Sequence, residues 1–168
     1  MNLLVVRHAP AGDRAQWRAE GKDDALRPLT AEGKRRMGEV ARGLARLAGP
    51  PEALAASPLV RAGQTARILA RALGVGVTDE LAALAPGSPP QAILPWLRAR
   101  SGLDLVAVVG HEPHLGQLAS WLLAGRSRSF VTLKKGGACL LDLGARPGPG
   151  RAELAWLLAP AQLRRLPR

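Results

Sequence analysis

Two rhythms of apolar and polar residues alternate along the chain. Short apolar runs end abruptly in charged or small residues: "NLLVV" before Arg7, "ALAA" before Ser57, and "LVAVV" before Gly110 and His111. Between them, apolar residues recur at three- and four-residue spacing, as in Met37, Val40, Leu44 and Leu47. The first rhythm is that of strands buried on both faces, and the second that of helices with one apolar side. Their alternation predicts an α/β fold with a mostly parallel sheet between helix layers, a three-layer sandwich. Strands are expected at 2–7, 53–57, 75–78 and 104–110, and helices at 30–47, 59–73, 90–100 and 113–124. Ser57 reads as the N-cap of the 59–73 helix, with Pro58 in its first turn and Gly74 just past its end; Thr30 and Pro113 mark two further helix starts.

The texture changes beyond Gly125. "FVTLKKGGACLLDL" reads as two β runs about a turn at 134–137, and "AELAWLLAP" as a third, which together extend the sheet with antiparallel strands. "GARPGPG" at 144–150 fits a hairpin loop. Asp13 to Leu29 is long, polar and weakly periodic, a length of loop that is usually functional or mobile. One domain is expected over 1–168.

Composition narrows the setting. The chain has 168 residues, 47% of them apolar and 22% charged, which is ordinary for a globular domain. No run of apolar residues is long enough to cross a membrane, and the N-terminus does not read as a secretory leader. Cys139 is the sole cysteine, so an internal disulfide is excluded and the cytoplasm is the expected compartment. Cys139, Trp96, Trp121 and Trp156 read as core packing. The net charge of +11 favours anionic partners, although the arginines lie singly, as on a solvated surface. With four Trp, one Phe and no Tyr for base stacking, nucleic acid is not an expected partner. Nothing in the sequence fixes an oligomeric state.

Candidate chemistry gathers at strand ends. In an open parallel sheet the ligand crevice lies beyond the carboxyl ends of the strands. Arg7 and His8 end the first strand, Arg61 sits in the first turn of the helix after the second, and His111 follows the fourth. Two arginines and two histidines are thus sent to one edge, where helix N-termini also face; this is a phosphate site in outline. Arg7 and Arg61 would grip a phosphoryl group through their planar forks. A neutral His8 could attack phosphorus if its other ring nitrogen donated to a fixed acceptor such as a backbone carbonyl. A protonated His111 would stabilise charge on the equatorial oxygens. Ser57 and Arg27 are further candidates for substrate contact, Arg27 with Asp23 or Asp24 as the alternative partner. Glu112 could orient His111 or face solvent, Lys134 and Lys135 read as a solvated hairpin near the rim, and His114 as a surface or capping residue.

These residues resemble the histidine phosphatase superfamily, whose usual Arg-His-Gly reads here as Arg7-His8-Ala9. The short chain, "GHEP" at 110–113 and Ala in place of Gly are similar to the small phosphohistidine phosphatases of the SixA type. "RPLTAEG" (27–33), "SPLVRAGQTA" (57–66), "GGACLLDL" and "LAWLLAP" match as well, so that the likeness spans about 1–158. It implies a cofactor-independent phosphatase in which His8 is the nucleophile, Arg7 and Arg61 the phosphate clamp and His111 the second histidine. Larger members carry a lid and an acid between the third and fourth strands. Here "TDELAALAPGSPPQA" is too short for a lid and offers only Asp79 and Glu80. An imidazole leaving from phosphohistidine departs without a strong acid, whereas an alkoxide needs one. The expected substrate is therefore phosphohistidine in a protein. The alternatives are a small phosphate ester (a sugar or nucleoside phosphate) or a non-catalytic module that binds phosphoproteins or polyanions. A mutase fits less well without a lid. A metal held by His8, His111 and His114 is disfavoured by the neighbouring arginines.

Overall fold

The computed structural model describes residues 1–76, 79–126 and 128–166. In chain order its elements are β1 (Asn2–Arg7), α1 (Arg14–Ala19), α2 (Ala31–Leu47), β2 (Ala53–Ala56), α3 (Val60–Leu73), β3 (Asp79–Glu80) and α4 (Leu94–Arg98). There follow β4 (Leu105–Gly110), α5 (His114–Ala124), β5 (Ala138–Asp142), β6 (Glu153–Leu158) and α6 (Pro160–Arg164). The six strands form one sheet in the order β3-β2-β4-β1-β5-β6. β1, β2, β3 and β4 pair in parallel, while β5 is antiparallel to both β1 and β6.

The uninterrupted apolar runs of β1 and β4 follow from their central place. Alternate residues serve opposite layers: Leu3 and Val5 join the core beneath α4 and α5, whereas Leu4 and Val6 join the core beneath α2, α3 and α6. α2 starts at Thr30, whose hydroxyl accepts from Gly33 N at 2.9 Å. Gly33 is required by a close approach, because a Cβ there would stand 2.1 Å from the carbonyl oxygen of Pro10. The helix is thereby pinned to the chain just after His8.

Several expectations need correction. The 59–73 helix begins at Val60 with Leu59 as its cap and no side-chain cap bond, so Ser57 is not its N-cap and Pro58 lies outside it. Gly74 does end it, in the left-handed region at φ 69°. The expected strand at 75–78 is not found at Val75 or Gly76, Val77 and Thr78 lie outside the described residues, and the short β3 follows at 79–80. The 90–100 helix divides into a 3-10 turn at Pro90–Ile93 followed by α4. The polar segment after Asp13 holds α1, capped by the Asp13 carboxylate, and a 3-10 turn at Asp24–Leu26.

The largest departure is "FVTL" (130–133), which is not a strand. Its backbone is satisfied by side chains instead. Phe130 N donates to Ser120 Oγ at 3.0 Å, Leu133 N to Glu112 Oε1 at 2.7 Å, and Leu133 O accepts from Arg7 Nη1 at 2.7 Å. The segment runs across α5, with the Val131 carbonyl so close to Gly116 that a Cβ there would meet it at 2.3 Å. His114, expected at the surface, is only 2% exposed.

Candidate functional site

The register of the sheet lines up the candidate side chains. Arg7 pairs with Gly110, so the next residues, His8 and His111, stand side by side. Ala56 pairs with Val109, and Ser57 N continues the ladder to Val109 O at 2.9 Å. Ser57, His111 and His8 are thus the first residues past three adjacent strands. The two imidazole rings lie 5.0 Å apart between centroids, tilted by 53°.

A pocket of about 740 Å³ opens over this row, and Arg7, His8, Arg27, Arg61 and His111 all line it. Ser57 does not line it, but its hydroxyl meets His111 Nε2 at 2.8 Å. Lys135, Glu112, Asp13, Asp24 and Arg14 complete much of the rim. His114, Lys134, Asp79 and Glu80 do not line it. Asp79 accepts from Trp96 Nε1 at 2.8 Å and Arg100 Nη2 at 2.7 Å, which makes it a tie between β3 and α4. Among the described residues no three His, Cys, Asp or Glu side chains gather as a metal site.

His8 is held at three points. Its backbone N donates to Gly110 O, its backbone O accepts from Gly136 N, and its ring Nδ1 lies 2.7 Å from Ala9 O. A carbonyl can only accept, so Nδ1 carries the proton and Nε2 is left with its lone pair free. Ala9 N is fixed by Thr65 Oγ1 at 3.1 Å, and Thr65 in turn donates to Arg61 O at 2.7 Å. Among the described residues none other than glycine has a positive φ, so Ala9 meets no backbone strain where the resembling family has Gly. Burial, with Arg61, Arg7 and Lys135 nearby, pushes the His8 pKa down to about 4 against the opposing Ala9 bond. Burial also brings His111 down to about 3, helped by His8, Arg61 and His114. Both rings are therefore neutral at pH 7, so the protonated His111 of the sequence reading is not its ligand-free form.

The arginines are anchored by fixed acceptors. Arg7 Nη1 is fixed by Leu133 O, and Arg61 by Asp24, through Nη1 to its carbonyl at 2.7 Å and Nη2 to Oδ2 at 3.0 Å. Arg27 Nε donates to Asp24 Oδ1 at 2.8 Å and its Nη1 to Gly12 O at 2.7 Å, so it both joins the pocket and pairs with Asp24. Arg7 Nε, Arg61 Nε and His111 Nδ1 are buried with no partner among the described residues.

Sequence reasoning missed two supports. Glu112 neither orients His111 nor simply faces solvent: its oxygens accept from Leu133 N at 2.7 Å and Gly116 N at 3.3 Å, holding the segment that anchors Arg7. Asp24 emerged only as a partner of Arg27, although its position three residues before Arg27 offered a signal for a wider role. Cys139 is buried in the core, where burial pushes its thiol up to about 12.

Comparison with known proteins bears on the family and the fold. Residues 3–85 match the model of the histidine phosphatase superfamily (branch 1). An uncharacterised protein of Picosynechococcus sp. (strain ATCC 27264 / PCC 7002 / PR-6) is 37% identical over 155 residues, covering 91% of this chain and 89% of its own. The structure of the protein histidine phosphatase SixA complexed with tungstate is similar at a TM-score of 0.82 and 25% identity, covering 97% of this chain and 99% of that one. The α-ribazole phosphatase of Shigella flexneri shares the fold at a TM-score of 0.73 and 17% identity, covering 95% and 97%.

Proposed function

Because the chain belongs to the histidine phosphatase superfamily, on its SixA-like side, we propose that this phosphatase removes phosphoryl groups from phosphohistidine in proteins through a phosphoenzyme on His8. The observation that carries the reading is the His8 ring, its Nδ1 tied to Ala9 O beside His111 in a pocket walled by Arg7 and Arg61. Nε2 attacks phosphorus in line. The P–N bond to the substrate imidazole breaks as the P–Nε2 bond forms, and the leaving ring keeps the electron pair, which takes a proton from solvent. Arg7 and Arg61 carry the charge on the equatorial oxygens, with the neutral His111 ring donating a hydrogen bond to one of them. Water then attacks phosphorus, the P–Nε2 bond breaks, its pair returns to Nε2, and inorganic phosphate leaves. Arg27 and Ser57 act in this reading as a further anion contact and as the partner of His111.

The preference for P–N over P–O substrates rests on the carboxylates of the pocket. Asp13 caps α1, Glu112 accepts two backbone N–H groups, and Asp24 is held by arginines. None is poised to protonate an alkoxide. The rival is a small phosphate ester, for which a pocket of about 740 Å³ has room. We place the protein in the cytoplasm, with one cysteine and no helix among the described residues long and apolar enough to cross a membrane. The test compares hydrolysis of a phosphohistidine peptide, phosphoramidate and an alkyl phosphate, with mass spectrometry of the trapped enzyme after acid-free quenching. Faster P–N cleavage with the label on His8 is expected. A label elsewhere ends the mechanism, faster alkyl-phosphate turnover ends the substrate class, and binding of phosphopeptides without turnover of any of the three makes the protein a binding module.

A further inference from the structure

A pocket lined by arginines for an anion also contains a partly exposed carboxylate, Asp24, and the two facts pull in opposite directions. Either Asp24 competes with phosphate for the arginines or it sets them in place. The contacts decide. Arg61, buried in the first turn of α3, reaches the Asp24 backbone carbonyl at 2.7 Å with Nη1 and its carboxylate at 3.0 Å with Nη2. Two such points fix the plane of a guanidinium, and Arg61 Nε has no other partner among the described residues. The second carboxylate oxygen takes Arg27 Nε at 2.8 Å and lies 3.7 Å from Arg14 Nε. One side chain therefore joins three arginines from separate stretches of chain. Neither α1 nor the 3-10 turn that carries Asp24 has a buried residue, so this segment is docked by polar contacts and not by core packing.

Resting on the reading of this pocket as a phosphoryl site, we propose that Asp24 is a positioning residue, whose carboxylate keeps Arg61 and Arg27 in their binding geometry between turnovers. Adjacent buried cations repel when the phosphoryl group leaves, and long arginine side chains then regain rotamer freedom that the next substrate must remove. A permanent counterion bonded to the guanidinium avoids both, which is preorganisation by a supporting shell. Burial by itself would raise the Asp24 carboxyl, but the Arg27 hydrogen bond and the charges of Arg61, Arg27 and Arg14 outweigh it, so the group stays ionised.

The test measures binding of inorganic phosphate and orthovanadate by calorimetry, and kcat and KM on an aryl phosphate, with thermal melts to check folding. Asp24→Ala is expected to weaken phosphate binding and raise KM by about tenfold, the effect of losing one charge-assisted contact, with a smaller change in kcat. Asp24→Asn keeps an acceptor oxygen without charge and should fall between. The control is Asp23→Ala, which removes the cap of the same turn, a 2.9 Å bond to Ala25 N, without touching an arginine; it should bind phosphate as wild type does. Phosphate binding by Asp24→Ala that equals or exceeds wild type makes Asp24 a bystander or competitor and overturns the proposal, as does an equal loss in Asp23→Ala. If Asp24→Ala does not fold, wild-type affinity in Asp24→Asn overturns it alone. Wild-type protein that binds no phosphate sinks the site reading itself, a failure visible before any variant is made.

Discussion

At the scale of single residues, the position of one proton on His8 organises the site. The Ala9 carbonyl takes Nδ1–H, and burial among cations keeps Nε2 unprotonated well below neutrality. Since the neutral ring is the reactive one, kcat/KM corrected for substrate ionisation should hold level from pH 7 to about 5 and fall through about 4. A break near the ordinary histidine value of about 6.5 would contradict the environment described for the ring. His8→Ala should abolish turnover. Arg61→Ala should lower kcat/KM by about 10²–10³, the range for losing one donor to developing oxyanion charge. Ser57→Ala is a subtler probe: it removes the 2.8 Å partner of His111 Nε2 while leaving the strand end intact. About a tenfold loss in kcat is expected, in line with one hydrogen bond of ~1.4 kcal/mol, with a melting temperature lower by a few degrees because a buried ring nitrogen loses its partner. An unchanged kcat would leave Ser57 without a part in orienting His111.

At the scale of elements, the site depends on how strand ends are strapped together. Glu112 ties the 131–133 segment to the start of α5, and that segment supplies the carbonyl that fixes Arg7. Glu112→Ala leaves two N–H groups without their acceptor, at a cost of about 1–3 kcal/mol, or several degrees in melting temperature, and loosens Arg7, so KM should rise as well. A stability loss with KM unchanged would mean that Arg7 is held without the strap. The same segment shows where the sequence could and could not be read. β1, β2 and β4 were legible because a strand buried on both faces must be apolar throughout, and their register carries His8 beside His111. "FVTL" has the composition of a strand, but its partners are the side chains of Ser120, Glu112 and Arg7, and no local pattern encodes partners so distant in sequence. His114 is buried as well, although a helix-start position had suggested that it was exposed. Ser57 has a capping residue's chemistry, but its hydroxyl is drawn to His111, a residue 54 positions away. Arg7, His8, Arg61 and His111 were readable because they sit at element ends; Asp24 and Glu112 act through backbone and arginine contacts that spacing does not reveal.

At the scale of the molecule, the three histidines make stability depend on acid in a specific window. His8, His111 and His114 are all buried, and all have pKa values pushed down, primarily by burial. In the unfolded chain each takes up a proton near its ordinary value of about 6.5. The native chain takes none until about 4 for His8 and about 3 for His111. Between those limits the unfolded state binds more protons, so stability rises with pH and falls on acidification below about 6.5. The slope approaches ~1.4 kcal/mol per pH unit for each buried neutral histidine, before carboxylates such as Asp24 begin to add to it at lower pH. Saturating phosphate should offset part of the loss by binding only the folded site. His114 isolates the effect, because its ring nitrogens have no partner among the described residues and it does not line the pocket. His114→Leu removes one titrating group and replaces an unsatisfied buried ring with an apolar side chain, a change that is neutral or stabilising at pH 7. Melting temperatures measured from pH 7 to 4.5 should therefore fall less steeply in His114→Leu than in wild type, with activity at neutral pH retained. Parallel curves would show that His114 titrates normally in the folded protein.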